Sequence, residues 1–260
     1  MDFFVVGMVA FLASGLTLYS GFGLGTVLLP AFALFFPIEV AVAATGTVHL
    51  LNNLFKGSLL GRRADWRIVA LFGLPAVPAA VAGAWLLGEL GGTPRLFTWG
   101  AFGWEFGPTA AGITIGALMI LFALLEVQPW FQRLAAPPRL IPLGGIVTGF
   151  FGGLTGQQGA FRSMFLLKSG LDPTRFIATG VVTAVLVDLA RLPTYAASFR
   201  GNVGLGGHGW ALVGVGTLCA FVGAFLGVRY LKKATIGVVR AMVAGLMLLI
   251  GAALVTGLLG

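Results

Sequence analysis

Residues Thr148 to Arg162 read TGFFGGLTGQQGAFR. An apolar segment breaks at Gly152-Gly153 and Gly156, restarts with Gln157-Gln158-Gly159, and then carries Arg162 inside apolar sequence. Backbone that leaves the helix at membrane depth is tolerated only when it is buried in protein or lines a cavity. A helix that restarts there turns its free N–H groups and the positive end of its dipole toward the break. An arginine near the bilayer centre costs about 2.5–3.5 kcal/mol on insertion scales, so it should face inward and find a partner. Break, restart and cation together are what a binding place for a small anion within a membrane would need.

Composition bounds the class. Of 260 residues, 58% are hydrophobic and only 9% are charged, and the mean hydropathy is +1.01. Soluble domains carry about 25% charged residues, so the chain reads as integral to a membrane. The apolar runs are continuous rather than alternating, which selects helices over a barrel. The 41 glycines fit membrane helices that approach one another closely. A formal charge of +8 reads as positive-inside bias and not as a nucleic-acid surface. Cys219 is the only cysteine, which excludes an intramolecular disulfide and a cysteine metal site. Met1-Asp2 begins the chain without a basic leader region, which favours a first helix that is retained.

Apolar segments run over about 3–20, 22–36, 40–60, 66–88, 108–127, 139–155, 157–170, 174–197, 209–231 and 235–258. A crossing takes roughly 20 residues, so 22–36 and 157–170 are short. Each follows a glycine break, at Gly21, Gly23 and Gly25 and at Gly152 to Gly159. They are either short tilted spans or the return arms of re-entrant hairpins. A shift of 134 residues places Gly15 on Gly149, Gly25 on Gly159 and Ala44-Thr45-Gly46 on Ala178-Thr179-Gly180. The turns at Phe36 to Glu39 and Gly170 to Pro173 also coincide. Further on, a shift of 144 pairs Ala79 and Gly83 with Gly223 and Gly227, the added residues falling around Gly201 to Gly209. The expected fold is therefore all-α and integral to the membrane, with two repeats at 1–127 and 139–260 and a Pro-containing linker at 128–138. Each repeat holds a glycine-broken helix pair plus three transmembrane helices.

An odd number of crossings per repeat makes the second repeat inverted. With the N-terminus outside, the inner loops gather twelve Lys and Arg, including Lys56, Arg62, Arg63, Arg67, Arg175, Lys232 and Lys233. The outer ends hold Arg95, Arg191 and Arg200, and Arg162 alone lies within the membrane. Positive-inside then puts both termini outside.

The order of glycine break, Val27-Leu28-Leu29-Pro30, Ala41-Val42-Ala43-Ala44-Thr45 and Asp65-Trp66-Arg67 resembles the sulfite exporter TauE/SafE family. The second half resembles the same family's repeat, so the likeness covers nearly the whole chain. It implies a bacterial inner-membrane exporter of small sulfur-containing anions, sulfite or organosulfonates such as sulfoacetate. The family's glycine-rich breaks would correspond to Gly21–Gly25 and Gly152–Gly159. The second break, with Thr155-Gly156-Gln157-Gln158-Gly159, is less glycine-rich than the family pattern, and its added amides would narrow or rewire the pocket.

Several side chains carry both a functional and a structural interpretation. Arg162 suits a sulfonate or sulfite oxygen pair with its planar donors; the structural alternative is an ion pair with Asp188. Gln157 and Gln158 either reach a ligand or cap the restarted helix, and backbone N–H groups around Gly156, Gly159, Gly23 and Gly25 need no special side chain. His49, Asn52, Asn53 and Lys56 fall at three- and four-residue steps on one helix face. Asn52 and Asn53 are pocket donors or interhelical bonds, His49 a titratable gate or a core histidine, and Lys56 snorkels toward the inner surface. Thr45 and Thr179, a repeat-related pair, line the site or the packing. Asp188 and Arg191, three residues apart, form an intrahelical pair or take part in gating and coupling. Asp65-Trp66-Arg67 reads as an interfacial anchor, His208 as a solvated loop residue, and Glu89, Glu105 and Glu126 as segment ends or loop positions.

Enzyme motifs are missing: there is no His-Glu-x-x-His, no Gly-x-Ser-x-Gly and no phosphate loop. No cofactor or metal is called for. The partners are a small anionic substrate and the lipid bilayer, not nucleic acid, and a homo-oligomer is compatible with this. An uptake carrier or channel for another small anion stays open as an alternative, as does a membrane enzyme or assembly subunit.

Overall fold

Glycine positions decide how the helices of this chain meet. A computed structural model describes residues 1–20, 23–101, 103–199, 205–230 and 236–259; Gly21, Arg200, Gly201, Lys232 and Lys233 lie outside the described residues. The elements are α1 (Asp2–Ser20), α2 (Leu24–Ala33), α3 (Ile38–Leu60), α4 (Trp66–Leu90), β1 (Trp99–Ala101), β2 (Trp104–Phe106) and α5 (Ala110–Val127). They continue as the single turn α6 (Pro129–Gln132), then α7 (Ile141–Thr155), α8 (Gly159–Leu166), α9 (Pro173–Ser198), α10 (Gly206–Tyr230) and α11 (Ile236–Thr256). Four of the described helices, α4, α5, α9 and α10, are long and apolar enough to cross a membrane. At 23 residues α3 is also long enough, about 34 Å of helix, but its polar stripe lowers its hydropathy.

The two short segments are shorter than a straight crossing requires. α2 and α8 have ten and eight residues, about 15 and 12 Å of helix, against a hydrocarbon core of about 30 Å. α8 doubles back along α7: Phe151 stacks on Phe161 with ring centroids 5.3 Å apart, Ala136 N–H donates to Met164 O, and Phe165 packs on Gly144. α2 folds back along α1 in the same way, bringing both Phe32 and Val6 to Gly216 of α10. Both short helices therefore fold back along the helix that precedes them.

The break itself sits later than the sequence suggested. α7 runs helically through Gly152-Gly153 and stops at Gly156, whose φ of +77° is the left-handed C-cap that glycine adopts without a Cβ penalty. Gly152 and Gly153 are contact residues instead. Cβ atoms built on Gly145, Gly149 and Gly153 would lie 2.1–2.2 Å from the carbonyl oxygens of Phe72, Ala76 and Ala80, so α7 lies backbone to backbone on α4. Such small-residue seams let van der Waals contact and weak hydrogen bonds hold helices where no hydrophobic effect operates. Across the molecule, Gly223 and Gly227 of α10 meet the backbone of Phe11 and Gly15 of α1 in the same fashion.

Besides these two seams, α5 packs on α11, α3 on α9, α4 on α9 and α10 on α3. The region between α4 and α5, expected as loop, carries a small antiparallel β-pair with Trp99 opposite Phe106. Trp99 Nε1 donates to Thr256 O and ties this pair to the end of α11. His208, expected in a loop, belongs to the first turn of α10, with Nε2 2.6 Å from Asp2 Oδ2.

Candidate functional site

The two helix restarts meet. A Cβ on Gly23 would lie 3.4 Å from Gly159 N, and one on Gly25 would lie 2.6 Å from Gly156 O. α2 and α8 both begin here, without a side-chain cap on Gly23 or Gln158 and without a carboxylate in either first turn. Their first N–H groups have no carbonyl four residues earlier to bond, and both positive dipole ends converge on one place. A narrow crevice opens onto it, lined by Thr26, Gln157, Gly159, Phe161 and, from α5, Phe122 and Glu126. Gln157 is 4% exposed, yet among the described residues neither its amide oxygen nor its nitrogen has a hydrogen-bond partner. Thr45 Oγ1 is likewise buried without a partner, and its methyl would lie 3.7 Å from a Cβ on Gly25.

Behind the break, α9 supplies the groups that hold it. Arg191 Nη1 donates to Gly152 O at 2.8 Å and the Tyr195 hydroxyl donates to Gly153 O. Gly152 O also accepts the C-cap N–H of Gly156 at 3.0 Å, while Gly153 O is one of the last carbonyls of α7 that helix geometry leaves without an intrahelical donor. Asp188 Oδ1 holds Arg191, at 2.9 Å from Nε and 2.8 Å from Nη2, and accepts from Gln158 Nε2 at 3.3 Å. Its Oδ2 lies 2.6 Å from His49 Nδ1. Asn53 Nδ2 donates to His49 O at 2.9 Å, fixing the same stretch of α3. Asp188 and Arg191 are both completely buried.

Arg162 is not the partner of Asp188. Within 4 Å, Asp188 is ion-paired to Arg191 and His49. Arg162 lies along α9, its Nε 3.3 Å from a Cβ built on Gly180, and its Nη1 is buried without a hydrogen-bond partner among the described residues. Lys56, expected to snorkel, is only 6% exposed and has no carboxylate within ion-pairing distance among the described residues; it lies within electrostatic range of Arg162. Buried Lys56 and half-buried Arg162 thus lie near one another, Arg162 also within electrostatic range of Asp188, and neither has a carboxylate at ion-pairing distance among the described residues.

The sequence candidates therefore divide. Gly23, Gly25, Gly156, Gly159, Gln157 and Thr45 gather at the junction. His49, Asn53, Gln158, Asp188 and Arg191 form one buried network behind it. Asn52 accepts from Ser14 Oγ at 3.0 Å and ties α3 to α1. Thr179 accepts the backbone N–H of Asp65 at 2.9 Å, so it secures the entry to α4, while Thr45, with which the sequence shift pairs it, faces the junction. Asp65 caps α4 through the N–H groups of Arg67 and Ile68 and pairs with Arg175 at 2.8 Å. Tyr195 escaped the sequence analysis; its position four residues after Arg191 and seven after Asp188, on one face of α9, was the available signal.

Fold and composition define a multi-pass helical membrane protein. The profile of the sulfite exporter TauE/SafE family matches residues 3–254, and the chain belongs to that family. No curated protein matches the chain.

Proposed function

We propose that this protein is a carrier, not an enzyme, that exports a small sulfur-containing anion, sulfite or an organosulfonate such as sulfoacetate, across a bacterial inner membrane. The observation that carries the proposal is the meeting of two uncapped helix N-termini, at Gly23 and Gly159, beside the partnerless buried amide of Gln157. Oriented N–H groups and dipoles of this kind favour an anion without any reorganisation. Arg162, with Lys56 near it, supplies the positive charge; Gln157 and Thr45 supply shape; His49, Asp188 and Arg191 hold the geometry and gate it. The sulfur chemistry and the outward direction rest on family membership.

The halves 1–127 and 139–260 act as inverted repeats joined by 128–138, with both termini outside. Exchanging the halves turns the α4–α7 seam into α10–α1 and the α4–α9 contact into α10–α3, while α3–α9, α5–α11 and α2–α8 map onto themselves. This supports an approximate two-fold relation passing through the junction. Rocking of the halves about it would alternate access, and an interior-negative potential would favour anion exit by about 2.3 kcal/mol per charge for every 100 mV. Proteoliposomes containing only this protein test the proposal. Labelled sulfite or sulfoacetate leaves them, and unlabelled anion on the far side accelerates its exit. Flux without exchange acceleration indicates a channel, and absence of flux defeats the carrier assignment.

A further inference from the structure

A second polar cavity lies away from the junction, where α4 and α9 end and α3 begins. It has a volume of about 230 Å³ and is lined by Glu39, Gly88, Glu89, Gly91, Gly92, Ser198 and Phe199. Glu39, in the first turn of α3, is 7% exposed, and among the described residues it makes no hydrogen bond or ion pair. Its Oε1 would lie 3.3 Å from a Cβ built on Gly91, so the carboxylate is confined against the cavity wall. Glu89 stands in the last turn of α4, the end of a helix dipole that disfavours a negative charge.

The backbone adds to the same sign. Of the last four carbonyls of α4, Leu87 O is bonded by Gly91 N and Leu90 O by Thr93 Oγ1. The other two belong to Gly88 and Glu89, which line the cavity. α9 brings its own C-terminus to the same place, close enough that a Cβ on Gly88 would lie 2.3 Å from Ser198 Cβ. Two carboxylates, a hydroxyl and the carbonyl ends of two helices therefore surround one space.

We infer that this cavity binds a hard divalent cation. All the lining donors are oxygens, which suits calcium or magnesium and not a soft transition metal. No cluster of three His, Cys, Asp or Glu occurs among the described residues, so carbonyls, Ser198 and retained water complete the shell. The two carboxylates match a charge of two, and the volume holds several waters of about 30 Å³ each. The cation offsets the unfavourable position of Glu89 and clamps the ends of α4 and α9 against α3.

Thermal unfolding of the detergent-solubilised full chain, stripped with chelator and titrated with calcium chloride or magnesium chloride, tests this. At about 10 mM, above the millimolar affinities of weak calcium modules, the melting temperature should rise by about 2 °C or more. The rise should disappear in Glu39→Gln and in Glu89→Gln. Glu89 is exposed, so its variant carries the test if Glu39→Gln fails to fold. An equal rise with sodium chloride at matched ionic strength would reduce the effect to screening and overturn the inference. So would an undiminished rise in the variants, or no rise in the parent.

Discussion

Gly25 at the start of α2 and Gly156 at the end of α7 touch so closely that a Cβ on the first would lie 2.6 Å from the carbonyl oxygen of the second. The neighbour is backbone and cannot swing aside. Gly25→Ala should therefore force the two breaks apart and cost about 1–3 kcal/mol. A melting curve beside that of Gly207→Ala, a position with nothing within 4 Å, checks it. Gly25→Ala should melt well below the parent and below the Gly207 control.

The buried pair behind the junction makes a second prediction. Removing one partner leaves a buried charge uncompensated, so Asp188→Leu and Arg191→Met should each cost about 3–5 kcal/mol. Arg191 also bonds Gly152 O and Asp188 also bonds His49 and Gln158, so the double variant is not neutral. It should still lose clearly less than the sum of the singles. Denaturant titration of the four proteins of the cycle gives that coupling directly.

Sequence made the seams and the breaks legible because glycine and Arg162 stand out against apolar surroundings. Gly223 and Gly227, paired with Ala79 and Gly83 by the internal shift, do form a close helix contact. What sequence did not give was the end of α7. Gly152 and Gly153 look like breakers, but in a membrane helix the same residues make contact surfaces, and only the seam with α4 tells the two uses apart. Nor could it choose the partner of Asp188. Arg162 and Arg191 are equivalent cations on paper; Arg191 wins because it lies one turn away on the same helix and also reaches Gly152 O.

Thr45 and Thr179 show the same limit in another form. The 134-residue shift pairs them in sequence, yet one faces the junction and the other binds the backbone of Asp65. A shift that matches residue types does not fix the partners their side chains find.

Gln157 separates a ligand role from a packing role. A buried amide without partners costs about 1–3 kcal/mol, so Gln157→Leu, similar in volume, should leave the ligand-free protein at least as stable as the parent. The same change should weaken anion binding about tenfold by removing a donor. A drop in stability with unchanged binding would assign Gln157 to the scaffold. Calorimetric titration and a melting curve on one preparation give both quantities.

Anion binding to the purified protein, with Arg162→Ala alongside, decides whether this fold holds an anion at Arg162. Sulfite or sulfoacetate should raise the melting temperature of the parent more than sulfate or chloride does, and the rise should vanish in Arg162→Ala. Equal stabilisation of both proteins would place the anion away from Arg162, and no stabilisation by any anion would contradict an anion site in this fold.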